Sequence, residues 1–204
     1  MKIVNIISIL LFFSLIVLSC SSVSEKNFIN GSFEKSYDGE SPDGWFANNL
    51  PHAKKYAVFA VDKTVFHSGG NSILISLDKK LPDESFTYNW ARRIDGLKPS
   101  GVYQLQGWIK TREIKNSPYI EIQCWNSRTD QLVASISTKS RFQITGTSNW
   151  KRVDMIIKIP SGIDKVLLIA GVPSKNNDGG KVWFDDISIS QLEKLSKMEP
   201  SYKK

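Results

Sequence analysis

The fold that this sequence predicts is all-β, a two-sheet antiparallel sandwich, and three observations carry it. Segments rich in Val, Ile, Phe, Tyr and Trp recur along the chain, and Gly, Pro, Asn, Asp and Ser separate them. Two of the segments alternate strictly between apolar and polar side chains. With 204 residues, 41% hydrophobic and 11% aromatic, the chain can bury one sizeable core. The same figures exclude disorder, collagen and a multi-spanning membrane protein.

The first element precedes the fold. Met1 and Lys2 form a small basic start, residues 3–18 are almost unbroken Ile, Leu, Val and Phe, and Ser19 is small, which predicts a secretory signal over residues 1–19. That run is shorter than the roughly 20 residues that cross a bilayer comfortably. The order Val17-Leu18-Ser19-Cys20 resembles the bacterial lipobox, which implies a lipidated Cys20 carrying acyl chains of the palmitate kind. Residues 20–27 then read as a lipidated tether. The resemblance implies a bacterial cell-envelope protein, lipid-anchored at the outer membrane or cell surface. With Cys20 lipidated, Cys124 has no partner and no intramolecular disulfide is available. The net charge of +7 is spread along the chain, which suits a solvated surface better than a nucleic-acid footprint.

Strands are expected at residues 28–33, 56–62, 71–77, 86–94, 102–111, 119–126, 131–138, 150–159, 165–171 and 181–190. Pro42-Asp43-Gly44, Ser68-Gly69-Gly70, Lys98-Pro99-Ser100-Gly101, Pro160-Ser161-Gly162 and Asp178-Gly179-Gly180 supply the fixed or positive φ that turns between them require. Residues 28–190 therefore form one domain, and 191–204 a polar C-terminal tail. Leu105, Gly107 and Ile109 alternate with Gln104, Gln106, Trp108 and Lys110; Ile120, Ile122 and Cys124 alternate with Tyr119, Glu121, Gln123 and Trp125. Each segment has one face fit for the core and a second that is polar yet aromatic. Cys124, on the apolar side, is expected to be buried and inert.

The stretches "FINGSFE" (28–34), "PDGW" (42–45), "HSGGNSILISL" (67–77), "GLKPSGVYQLQGWIKT" (96–111), a lone Trp150 leading to "IPSG" (159–162), and "GGKVWFDDISIS" (179–190) resemble, in that order, the jelly-roll carbohydrate-binding modules of the family 4, 9, 16 and 22 type, with a galactose-binding-like sandwich. The resemblance implies chain ends that lie close together and a structural Ca²⁺ beside them. Its ligands would be the carboxylates of Glu34 and Asp185 and the backbone carbonyls of about Ser68 and Asn71, since Ca²⁺ takes six to eight hard oxygens. The other reading of these carboxylates is a lysine partner for Glu34 and solvent for Asp185 and Asp186.

Sugar recognition needs flat apolar rings together with amides and charged groups that pair with hydroxyls. If the segments 102–111 and 119–126 form a hairpin through residues 112–118, Gln104, Gln106, Trp108, Lys110, Tyr119, Glu121, Gln123 and Trp125 make one such patch. Trp90, Tyr88 and Arg92 would border it. Trp108, Trp125 and Tyr119 are then expected to stack on sugar rings, and Gln104, Gln106, Gln123 and Glu121 to bond hydroxyls. Trp45, Trp150 and Trp183 read as core or edge aromatics, and His52 and His67 as loop residues.

No nucleophile with a positioned base occurs, only Glu121 offers a carboxylate on the patch, and phosphate-loop, zinc and dinucleotide motifs are lacking. The expected function is a membrane-anchored, non-catalytic lipoprotein that captures a poly- or oligosaccharide, with no nucleic-acid partner. Two alternatives stay open: an envelope scaffold that binds a protein partner, and a small polysaccharide lyase or glycoside hydrolase.

Overall fold

A computed structural model describes residues 29–47, 55–82 and 84–192. The expected signal segment, Cys20 and its tether, His52, and the tail from residue 193 onward lie outside the described residues. Ten strands follow one another: β1 (Phe46–Ala47), β2 (Ala57–Asp62), β3 (Ser72–Leu77), β4 (Thr87–Ile94), β5 (Val102–Ile114), β6 (Tyr119–Asn126), β7 (Gln131–Ser137), β8 (Gly146–Lys158), β9 (Lys165–Pro173) and β10 (Lys181–Gln191). Sheet A has the order β1-β4-β9-β6-β7 and sheet B the order β2-β3-β10-β5-β8. Every pairing is antiparallel, so the expected two-sheet sandwich is the observed fold.

The alternation read from the sequence dictates the layering. Along β5 Leu105, Gly107 and Ile109 are buried, as are Ile120, Ile122 and Cys124 along β6, with the residues between them partly exposed. Ile73, Ile75, Leu105, Ile109 and Phe184 from sheet B meet Ile120, Ile122, Leu168, Ala170 and Val172 from sheet A in one core. Cys124 is fully buried within it, and desolvation pushes its thiol pKa up.

Residues 29–33, the described part of the strand expected at 28–33, do not form it. Asn30 and Phe33 take left-handed φ of 41° and 59°, and Phe33 N–H donates to the Asn30 carbonyl at 3.2 Å. The Asn30 side chain replaces ladder bonds, donating to the Lys35 and Asp43 carbonyls and accepting from Lys35 N–H. Asn bonds local backbone in this way more readily than a β-branched residue, so the segment turns.

Candidate functional site

The expected hairpin between β5 and β6 does not exist. β5 pairs with β10 and β8 in sheet B, whereas β6 pairs with β9 and β7 in sheet A. Both strands turn their apolar sides to the shared core from opposite layers: a Cβ placed on Gly107 would lie 2.5 Å from the Ile120 side chain. Their polar faces therefore point away from each other on opposite flanks of the molecule. Gln104, Gln106 and Trp108 belong to the outer face of sheet B, and Tyr119, Glu121, Gln123 and Trp125 to that of sheet A. The link between them crosses from layer to layer. Fully buried Asn177 fastens it, accepting from Lys115 and Asn116 N–H at 2.8 Å and donating to the Asn116 and Pro173 carbonyls.

On sheet B one face of the Trp108 ring is covered by its own chain. The segment between β2 and β3 folds across it as a strap, and the His67 ring stacks on Trp108 with centroids 3.8 Å apart and planes 18° from parallel. Trp150 meets His67 edge-on at 5.9 Å and donates to the Phe66 carbonyl, while Trp183 donates to Asp62 at 2.8 Å and is 6% exposed. At its start the strap is turned by the Asp62 carboxylate, which accepts from Thr64 and Val65 N–H. The stacking partner of Trp108 is thus a histidine of its own chain. Sequence reading missed His67 because nothing local indicates that a turn after β2 reaches a strand some forty residues later.

Trp90 and Arg92 leave the expected patch for different reasons. Trp90 points into the core, 2% exposed, donates to the Leu74 carbonyl of the opposite sheet and stands edge-on to Phe59. The Arg92 guanidinium donates to the Asp43 carbonyl at 2.6 Å, and it fills the space beside Gly44, where a Cβ would meet it at 2.0 Å. Arg92 therefore stands against the Pro42-Asp43-Gly44 turn.

Sheet A retains an open face. Along β6 the Trp125 indole N–H donates to Gln123, whose amide donates to Glu121, so three residues form one hydrogen-bonded row. The Lys165 ammonium lies 5.3 Å from the Trp125 ring centroid, a cation–π contact. Tyr119 rests over Gly171, where a Cβ would stand 3.2 Å from its ring, and burial pushes the phenol pKa up to about 12. Ladder register puts Asn89 opposite Gly171 and Arg93 opposite Leu167, so both β4 side chains border the row. Those two and Lys165 escaped the sequence reading because only register reveals them.

The carboxylates linked to calcium by resemblance meet at the strap. Glu34 accepts from Gly70 and Asn71 N–H, and Asp185 from His67 and Ser68 N–H. The structure thus joins Glu34, Asp185, Ser68 and Asn71, but through amide N–H groups in place of carbonyl oxygens. Among the described residues, no group of three or more His, Cys, Asp or Glu could hold a metal ion. This donor set does not fit Ca²⁺.

Burial of Asp185 raises its carboxyl pKa from 3.8 to about 6, against N–H bonds that pull it down. Between those values the native chain holds a proton that the unfolded chain has lost, so stability falls as pH rises through the window and levels above it. At about 1.4 kcal/mol per pKa unit the contribution is about 3 kcal/mol, or roughly 6–12 °C in melting temperature. Melting curves across that window should show the fall in the natural chain and its absence in Asp185→Asn. Equal pH profiles for the two would contradict the assignment.

No family model matches the chain. It is 26% identical over 180 residues to the tRNA nuclease WapA of Bacillus subtilis (strain 168), and 24% identical over the same length to the tRNA3(Ser)-specific nuclease WapA of Bacillus spizizenii. Each match covers 88% of this chain, and the chain spans 7% of the length of either relative. Among solved structures, "Family 16 Carbohydrate Binding Module-2" matches with a TM-score of 0.54 at 14% identity, covering 79% of this chain and 97% of that one. The CBM22-2 xylan-binding domain of Paenibacillus barcinonensis Xyn10C matches with a TM-score of 0.52 at 16% identity, over 76% and 95%. The class defined is thus a β-sandwich with the fold of carbohydrate-binding modules. The nuclease names correct the expected non-catalytic, sugar-capturing function and the expectation that the chain is no enzyme, because 88% of the chain aligns, at 24–26% identity, with proteins named for an enzymatic activity on tRNA. They bear equally on the expected lack of a nucleic-acid partner.

Proposed function

We propose that the chain works as a module of a tRNA nuclease of the kind its sequence relatives are named for, and that it engages RNA on the open face of sheet A. The observation that carries the reading is the extent of the match: 88% of this chain aligns within 7% of the relative, so the sandwich itself is the shared unit. The chemistry of the face agrees with it. Unstacked RNA bases are held by aromatic faces and by hydrogen bonds to their edges. Tyr119 and Trp125 offer the rings, Gln123 and Asn89 the amides, and Glu121 a carboxylate that suits an exocyclic amine. Lys165 and Arg93 place positive charge at this face, which favours a polyanion there.

The test is a titration of the full chain with tRNA at low and moderate salt, with cleavage read separately on a denaturing gel. Binding should weaken as salt rises, and Trp125→Ala should weaken it about tenfold or more, since base stacking is worth about 1–3 kcal/mol. A chain that neither binds nor cleaves tRNA, or a variant that binds as the natural chain does, overturns the proposal.

A further inference from the structure

Glu34 and the neighbouring pair Asp185 and Asp186 converge on one turn; five of their six carboxylate oxygens accept from a protein N–H or O–H group, and the sixth meets a ring nitrogen of His67. Glu34 Oε1 accepts from Gly70 N–H at 3.0 Å and Asn71 N–H at 3.1 Å, and Oε2 accepts from the Asn71 side-chain amide at 3.1 Å. Asp185 Oδ2 accepts from His67 N–H at 2.7 Å and Ser68 N–H at 3.2 Å, while Oδ1 accepts from Asp186 N–H at 2.7 Å. Asp186 Oδ1 accepts from the Ser68 hydroxyl at 2.9 Å, and Oδ2 lies 2.6 Å from His67 Nδ1.

We infer that the chain closes this clasp, between the turn at residues 29–34, the strap and β10, with its own hydrogen-bond donors and without the calcium ion that the family resemblance implies. Donor chemistry decides the matter. A calcium ion is held by oxygen lone pairs turned toward it. Here the backbone groups directed at Glu34 and Asp185 are amides, with the positive ends of their dipoles facing the carboxylates. Those dipoles offset part of the negative charge that a cation would otherwise neutralise, and charge-assisted bonds of this kind are about twice as strong as neutral ones.

Local conformation serves the same end. Gly69 has φ +65° and a Cβ there would lie 2.3 Å from Glu34 Oε1, so only glycine brings the turn this close. Asp186 takes φ 47° at the β10 bulge, which lets two consecutive carboxylates reach one turn from the same strand. The clasp in turn holds His67 on Trp108.

The experiment uses the full chain. Melting temperature is measured in calcium and in chelator, and terbium emission is followed on titration, because Trp108 and Trp150 flank the clasp and would sensitise a lanthanide bound there. The expected result is one melting temperature in both buffers and no saturable terbium emission. Glu34→Gln should lower the melting temperature by the same amount in both. A melting temperature that drops by several degrees in chelator and recovers with calcium, or saturable terbium emission, overturns the inference. The terbium reading on the natural chain stands even if the variant fails to fold.

Discussion

Gly31→Ala should be among the most damaging single changes in the chain, lowering stability by about 3 kcal/mol or more and the melting temperature by roughly 6–12 °C. A Cβ on Gly31 would stand 1.7 Å from the Ile187 carbonyl oxygen, 2.7 Å from its carbonyl carbon and 3.2 Å from its Cα. All of these are backbone atoms, so no side chain can swing aside. The same contact carries the hydrogen bond from Ile187 N–H to the Gly31 carbonyl at 2.9 Å, which pins the first turn to the bulge of β10. Relieving the clash separates the two segments and leaves buried polar groups without partners. Gly70→Ala is the control: its Cβ would meet only Glu34 Oε2, at 3.7 Å, and its cost should stay within about 0.5 kcal/mol. Thermal melts that rank the two variants equally would refute the argument.

The fold was legible because its cause is local. Leu105, Gly107 and Ile109 on β5 and Ile120, Ile122 and Cys124 on β6 declare their buried faces by period-two alternation, and the turn residues between strands need no partner to act. Which strands lie side by side is a long-range fact. β5 and β6 are consecutive in sequence and each presents a polar-aromatic face, yet the Asn177-fastened crossover sends them to different sheets. Alternation tells that Trp108 and Trp125 face outward, and cannot tell that they face outward in opposite directions. Composition was equally silent about His67, whose ring fills the face of Trp108 from the strap.

One short stretch shows both what local signals convey and what they conceal. Residues 29–34 look like a strand by their Phe and Ile content, but Asn30 and Gly31 are turn residues, and they prevail. The cost is a left-handed Phe33, an unfavourable conformation for a bulky side chain. What sustains it is burial. The same turn carries Glu34 to the strap, so the geometry of the clasp depends on a backbone that the core holds in place.

Phe33→Ala tests that dependence and should lower stability by about 3–5 kcal/mol. Phe33 is fully buried and packs edge-on against Trp45, with ring centroids 5.3 Å apart and planes at 61°. Such a pair adds about 0.5–1.5 kcal/mol beyond the area that it buries. Trp45 is itself fixed by donation of its indole N–H to the Ile29 carbonyl at 2.9 Å, so the two rings and the turn form one unit. Truncation leaves a cavity beneath the turn and an alanine in a conformation it adopts poorly, with nothing gained in exchange. The melting temperature should fall by roughly 6–20 °C, and tryptophan emission should shift to the red as water reaches Trp45. Phe33→Leu keeps much of the apolar volume and should recover part of the loss while the aromatic contribution stays absent. If Phe33→Ala melts within a degree or two of the natural chain, core burial is not what holds the left-handed turn.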